Sequence, residues 1–229
     1  FSEIGHDTHL ESPNATCIAL PTTQPVQPSR NEGDLMRKVN LEQPFADIYR
    51  YALVTDATEG LILLDIDTLY DGEPRNNFVK RALTWNENGV LNGARFLYVA
   101  GSWVHVLTPT ELVILDLSTP LEPKVASRLA LPDPRGIQVQ FRYAFVTTGA
   151  GLQVVEITDP RQPRLVESAT IALEDARRVH VARTYAYVAA GREGLVIVDV
   201  EKPEQPKVYQ RFSADGKLND ARDVSVATT

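Results

Sequence analysis

The sequence predicts an all-β chain of repeated four-stranded antiparallel blades, a β-propeller, and three observations carry that expectation. A strand led by an aromatic residue returns as Tyr51-Ala-Leu-Val, Phe96-Leu-Tyr-Val, Tyr143-Ala-Phe-Val and Tyr185-Ala-Tyr-Val, at spacings of 45, 47 and 42 residues. Each copy is followed by an apolar run that ends in an acid: Leu61-Ile-Leu-Leu-Asp65, Leu112-Val-Ile-Leu-Asp116, Leu152-Gln-Val-Val-Glu156 and Leu195-Val-Ile-Val-Asp199. After the last three runs comes a proline pair, Pro120 with Pro123, Pro160 with Pro163 and Pro203 with Pro206, where a fixed φ and a missing donor end a strand. A repeat of about 40 to 50 residues with four short strands has the size of one propeller blade.

The remaining elements fit between these landmarks. Residues 55–60, 149–151 and 191–194 carry glycine and read as hairpin turns joining the aromatic strand to the apolar run. The second repeat replaces this turn with a longer, more apolar excursion over 101–111. Ile137-Gln-Val139, Val179-His-Val181 and Val224-Ser-Val226 read as innermost strands, and the alternation of Lys207–Phe212 reads as an outer strand with one face in solvent. The middle strands are apolar at consecutive positions, because stacked blades cover both faces of each sheet. Short β-branched and aromatic runs punctuated by glycine and proline oppose a helical solenoid of the same period.

Blades are expected over about 45–86, 90–132, 135–174 and 177–219, with an incomplete fifth from 221. The chain therefore reads as about four blades plus the first strand of another, a fragment of a larger propeller. Missing blades would come from the rest of a longer chain or from self-association. Residues 1–41 read as a Pro/Thr/Gln-rich linker, interrupted by Pro13, Pro21, Pro25 and Pro28, and 42–229 as the blades.

A net charge of -7 argues against a surface built to neutralise nucleic-acid phosphates. No run of about 18 apolar residues suggests a membrane span in this segment. The single cysteine, Cys17, forms no intrachain disulfide and leaves the redox compartment open.

Gly194-Leu-Val-Ile-Val-Asp199, with Tyr185-Ala-Tyr-Val before it and Pro203-Glu-Gln-Pro206 after it, resembles the repeat of the LVIVD family of bacterial and archaeal surface or secreted proteins. The likeness covers roughly 45–229. The first two copies depart from it, with Asn76-Asn-Phe78 in place of a proline pair and with the excursion after Gly101. The resemblance implies a β-propeller in a cell-surface, secreted or periplasmic protein, sometimes as one module of a larger chain. It implies no particular reaction, since the fold hosts many functions.

The acids Asp65, Asp116, Glu156 and Asp199 recur once per blade at one station, so they read as architecture that accepts donors from the following turn. Arg135, Arg177 and Arg222 each stand two residues before an innermost strand. Near one mouth of a propeller channel they could hold a carboxylate, a phosphate or an acidic partner loop; alternatively each pairs with an acid of its own or the next blade, such as Asp175, Asp220 or Asp223. Trp103 and His105 sit in the apolar excursion, which reads either as a partner-binding loop or as a lid folded on its own blade. His180, between two valines, reads as packed.

His6, His9 and Cys17 are the weak metal candidates, but their spacing matches no closed zinc pattern. No Cys-x-x-Cys-His occurs, so no cofactor is expected here and haem only in regions beyond this sequence. Nucleophile elbow, P-loop and dinucleotide fingerprints are likewise missing from the sequence. The reading is a non-catalytic interaction scaffold, on the cell surface or in the extracytoplasmic space, binding a protein or extended ligand through blade loops. The rival readings are an accessory module of a larger redox or hydrolytic enzyme, and an enzyme acting on an anionic substrate at the channel mouth.

Overall fold

The computed structural model describes residues 10–21, 47–66, 69 and 78–227. His6, His9, most of the linker over 1–41 and Asn76 lie outside the described residues. The described chain is all-β, in four antiparallel sheets with the strand order of propeller blades. It divides into two compact units, 1–94 with 99–104 and 115–124, and 95–98 with 105–114 and 125–229.

In the first unit, β1 (Ala15–Ala19), β2 (Tyr51–Asp56), β3 (Gly60–Asp65) and β4 (Lys80–Trp85) pair in chain order. β1 is a correction to the linker reading. A five-residue strand just after Pro13 is too short for its periodicity to register, and its pairing with β2 spans a long sequence gap. Asp56 at the end of β2 anchors it. One carboxylate oxygen accepts the Ser12 hydroxyl at 2.6 Å and the Asn14 N–H at 2.8 Å, and the other accepts the N–H groups of Thr58 and Glu59 in the β2–β3 turn. Burial opposes the charge, yet these four donors hold the Asp56 carboxyl down to about 2.

The second sheet runs β5 (Phe96–Ala100), β6 (Trp103–Leu107), β7 (Glu111–Asp116) and β8 (Lys124–Ala130). This corrects the expected excursion over 101–111, which contains a hairpin turn at Gly101-Ser102, the whole of β6 and the turn into β7. Phe96-Leu-Tyr-Val is the first strand of its blade, and the aromatic station that matches Tyr143-Ala-Phe-Val is Trp103-Val-His-Val. The two strands are both apolar with an aromatic in the middle or at the head, so pattern alone set the register one strand too early.

The third and fourth blades lie in the second unit. β9 (Pro134–Gln140), β10 (Tyr143–Thr148), β11 (Gly151–Glu156) and β12 (Arg164–Leu165) form the third, with β13 (Ile171–Ala172) also pairing with β11 beyond a 3-10 turn at Glu167–Ala169. β14 (Arg178–Ala182), β15 (Tyr185–Ala189), β16 (Leu195–Asp199) and β17 (Lys207–Phe212) form the fourth. The two blades share one core. Tyr143, Phe145, Leu152 and Val154 on one face of the third pack with Val179, Val181, Ala186, Val188, Val196 and Val198 of the fourth. Val224–Val226, expected to open a fifth blade, is not a strand. Among the described residues the isolated bridge nearby joins Ala221 to Gly191, and no described strand lies beside 224–226 to supply its hydrogen bonds.

Candidate functional site

The ends of the blades in the second unit carry two features that sequence alone only half suggested. The first lies where the first strands begin. Asp133-Pro-Arg135, Asp175-Ala-Arg177 and Asp220-Ala-Arg222 repeat one triplet, and in each the aspartate takes its own arginine two residues on. Nε of Arg135, Arg177 and Arg222 donates to that aspartate at 2.9 Å in all three cases. The other carboxylate oxygen reaches back to the arginine of the preceding blade. Asp133 meets Arg95 at 2.5 Å, Asp175 meets Arg135 at 2.8 Å and Asp220 meets Arg177 at 2.7 Å. The result is an alternating chain, Arg95, Asp133, Arg135, Asp175, Arg177, Asp220, Arg222.

The three arginines therefore pair with acids of their own or the next blade, Arg135 and Arg177 with both and, among the described residues, Arg222 with its own Asp220 alone, and this shows which cations are occupied. Arg177 donates from all three nitrogens and Arg135 likewise, so every nitrogen of both meets a carboxylate. The pairing keeps the acids ionised. Arg177 and then Arg135 hold the Asp175 carboxyl below its usual range, Arg222 and then Arg177 do so for Asp220, and at Asp133 the Arg95 and Arg135 hydrogen bonds outweigh burial. The Arg177 guanidinium is correspondingly raised by Asp175 and Asp220.

Two arginines of this site escaped the sequence reading. Arg95 stands two residues before the first buried hydrophobic of β5, as Arg135 does in β9, Arg95-Phe-Leu97 against Arg135-Gly-Ile137, but assigning β5 to the wrong station hid it. Arg178 directly follows Arg177. Its Nη1 donates to the main-chain oxygens of Arg135 and Arg177, and its guanidinium carbon stands 4.4 Å from the centre of the Phe96 ring. Gly136 permits this crowding, because a Cβ there would stand 3.0 Å from both the Arg177 oxygen and the Thr147 hydroxyl. Arg95, Arg135, Asp175, Arg177, Arg178 and Arg222 line an open cavity of about 570 Å³.

The second feature lies at the other end of the first strands, at the hairpin tips that lead into the second strands. The left-handed tip position is Gly101 (φ 62°), Phe141 (φ 53°) and Arg183 (φ 55°) in the second, third and fourth blades. Phe141 is 94% exposed. Around it the backbone is fixed: the Gln138 side chain exchanges hydrogen bonds with Val181 at 2.7 and 3.1 Å, and Gln140 donates to the Arg183 oxygen at 3.0 Å.

The other candidates fare differently. His105 is 1% exposed within β6, so it offers no contact surface, and the expected loop around Trp103 and His105 is a strand, with Trp103 half-buried at its head. Neither ring nitrogen of His105 has a hydrogen-bond partner. Burial pushes the imidazole down to about 4, against a weaker pull from the Tyr98 backbone that stops short of a hydrogen bond. Cys17 lies in β1, and among the described residues no group of His, Cys, Asp and Glu could hold a metal. The repeat acids serve the turns: Asp116 accepts the Ser118 N–H and hydroxyl, Asp199 accepts the Glu201 N–H, and Glu156 meets Arg164 at 3.3 Å. No described helix is long and apolar enough to cross a membrane.

Comparison with known proteins agrees with the blades. Residues 133–170 and 174–213 match the LVIVD repeat. Among solved structures, a Saccharomyces cerevisiae complex of Dbp5 with Nup159, Gle1, IP6 and ADP is similar at 12% identity and TM-score 0.51, over 94% of this chain and 55% of that one. A nidogen/laminin complex is similar at 11% identity and TM-score 0.50, over 76% and 63%. The β-propeller domain of Cps50 (Swd1) from Myceliophteria thermophila follows at 14% and 0.49, over 76% and 59%. These likenesses concern the fold alone, and this chain spans about half the length of the structures it matches. No curated protein matches it. Its third and fourth blades each match the LVIVD repeat, within a chain whose described sheets have the architecture of a partial β-propeller.

Proposed function

We propose that the chain is a non-catalytic interaction scaffold that engages a protein partner through its blade loops. Phe141 carries this reading. A bulky residue in the left-handed region costs about 1–2 kcal/mol that glycine avoids, and Gly101 occupies the same station one blade earlier. Burial does not offset that cost, because the ring is in solvent. A fold under selection for stability alone has no use for phenylalanine there, whereas an aromatic held on a rigid tip is the kind of anchor that dominates protein interfaces. The proposed setting, at a cell surface or elsewhere outside the cytoplasm, rests on the family resemblance. The spending of the arginine-aspartate chain on ion pairs, with no nucleophile among its members, favours a scaffold over an enzyme.

The test is site-specific photocrosslinking in the native host with benzoylphenylalanine in place of Phe141, and with the same probe in place of exposed Phe212 as the comparison. The expected result is one discrete crosslinked protein from position 141 alone, whose co-purification is lost on Phe141→Gly while the variant melts no lower than the wild type. Equal labelling from both positions, or retention of the same partner by Phe141→Gly, overturns the reading.

A further inference from the structure

We infer that the arginine-lined cavity is a binding site for a small dianionic oxyacid, a phosphate monoester or a dicarboxylate, held by Arg178 and Arg95 with Arg222 at the rim. The inference is independent of the proposed protein contact, since Phe141 lies at the opposite end of β9 from Arg135.

Charge and donors support it together. Five guanidiniums surround the cavity and its aspartates, Arg95, Arg135, Arg177, Arg178 and Arg222, against the three carboxylates of Asp133, Asp175 and Asp220, which leaves two positive charges over. Two other acids of these blades have partners of their own: Glu193 pairs with Arg211 and accepts the Glu174 N–H, and Asp223 accepts the Val224 N–H. Donors remain where the surplus sits. Arg135 and Arg177 have none of their nitrogens free of carboxylate. Arg178 uses only Nη1, on two main-chain oxygens, and meets no carboxylate among the described residues. Arg95 uses only Nη1, on Asp133, and Arg222 leaves Nη1 open.

Orientation is set in advance. Arg178 rests on the Phe96 face and is held by carbonyls, so its remaining Nε and Nη2 fork is fixed without a ligand, and Arg95 immediately precedes that ring in sequence. A fixed guanidinium fork matches the geometry of phosphate and carboxylate oxygens. The cavity of about 570 Å³ is of the size that holds a small molecule. Arg135 and Arg177 are positioning residues in this scheme, since they fix Asp133 and Asp220, which hold Arg95 and Arg222.

The test is calorimetric titration of the full chain at low ionic strength with inorganic phosphate and, separately, with succinate. Wild-type protein is expected to bind at least one of the two with a sub-millimolar Kd. Arg178→Gln and Arg222→Gln should each weaken that binding at least tenfold, while Lys207→Gln, on the exposed outer strand of the fourth blade, leaves it unchanged. Arg222 is 78% exposed in its side chain, so its variant folds even if Arg178→Gln does not. Preference for phosphate assigns a phosphate monoester, and preference for succinate a dicarboxylate. No binding of either at millimolar concentration, or equal weakening by Lys207→Gln, overturns the inference.

Discussion

The third and fourth blades are near copies in sequence and register, yet they differ in burial. Tyr143 pairs with Glu156 as Tyr185 pairs with Asp199, and Phe145 pairs with Val154 as Tyr187 pairs with Ile197. In the third blade β10 is buried throughout and β11 everywhere except Glu156. In the fourth, β16 and β15 as far as Val188 alternate, with Ala186, Val188, Val196 and Val198 buried against the third blade and Tyr185, Tyr187, Leu195 and Ile197 only half-buried on the other face. Equal sequence with unequal burial means that the second face of a blade is covered by its neighbour, as expected where repeats stack. The apolar run at 195–198 is written for two neighbours, and the described residues supply one.

The largest expected effect breaks this comparison directly. Phe145→Ala empties a fully buried site in the shared core and should cost about 3–5 kcal/mol in urea unfolding. Tyr187→Ala, at the same station one blade on, should cost about 1 kcal/mol, because the ring it removes is only half-buried. An equal loss at Tyr187 would mean that its face is covered in solution by a further blade or a second copy.

The second blade gives the next effect, at the same station. His105 stands where the third blade has Phe145, and its imidazole is buried without partners. Its folded pKa, about 4, lies below the ordinary 6.5, so unfolding takes up a proton in that window. Stability is therefore full above pH 6.5 and falls as pH drops toward 4, by up to about 3 kcal/mol for this one group. His105→Phe should flatten the pH 4–6.5 limb of the unfolding midpoint and raise stability at pH 7 by about 1 kcal/mol. An unchanged slope would show that another group carries the acid sensitivity.

That histidine also explains what was legible in the sequence and what was not. Blades three and four could be read strand by strand because Tyr-Ala-aromatic-Val, the acid-tipped run and the proline pair recur in each. The second blade has Trp103 and His105 where its successors have tyrosine and phenylalanine or tyrosine, so its second strand passed for an insertion and Arg95 was lost with it. The arginines at 135, 177 and 222 were visible as a period, and Asp175 and Asp220 were visible beside them. Which guanidiniums stay free of carboxylate depends on side-chain reach across blades, which no spacing encodes. Phe141 left no signal, because a positive φ is a property of the folded turn and phenylalanine is not a residue that announces one.

The chain of ion pairs links the two blades at one end and should contribute modestly. Asp175→Asn leaves Arg135 and Arg177 without their shared carboxylate and should cost about 1 kcal/mol at low salt, less at 0.5 M, since the group is partly exposed and screened. The Asp175 pKa is lowered, so this contribution is present above the normal carboxylate range and is lost as pH falls through the folded value. Urea unfolding of wild type and variant at two salt concentrations measures it. A salt-independent loss would point to packing of the side chain rather than charge.

The smallest effect tests the hairpin tips, where the two blades differ in side chain but share a conformation. Phe141 and Arg183 both hold φ near 55°. Replacing either with glycine relieves left-handed strain of about 1–2 kcal/mol but returns some of it through the added freedom of the unfolded chain, leaving a gain of about 0.5 kcal/mol. The gain should be alike for Phe141→Gly and Arg183→Gly, because neither side chain is buried and the strain lies in the backbone. A loss of stability in Phe141→Gly alone would show that the ring packs on its own blade in solution, and would remove the reason for treating the tip as a contact surface.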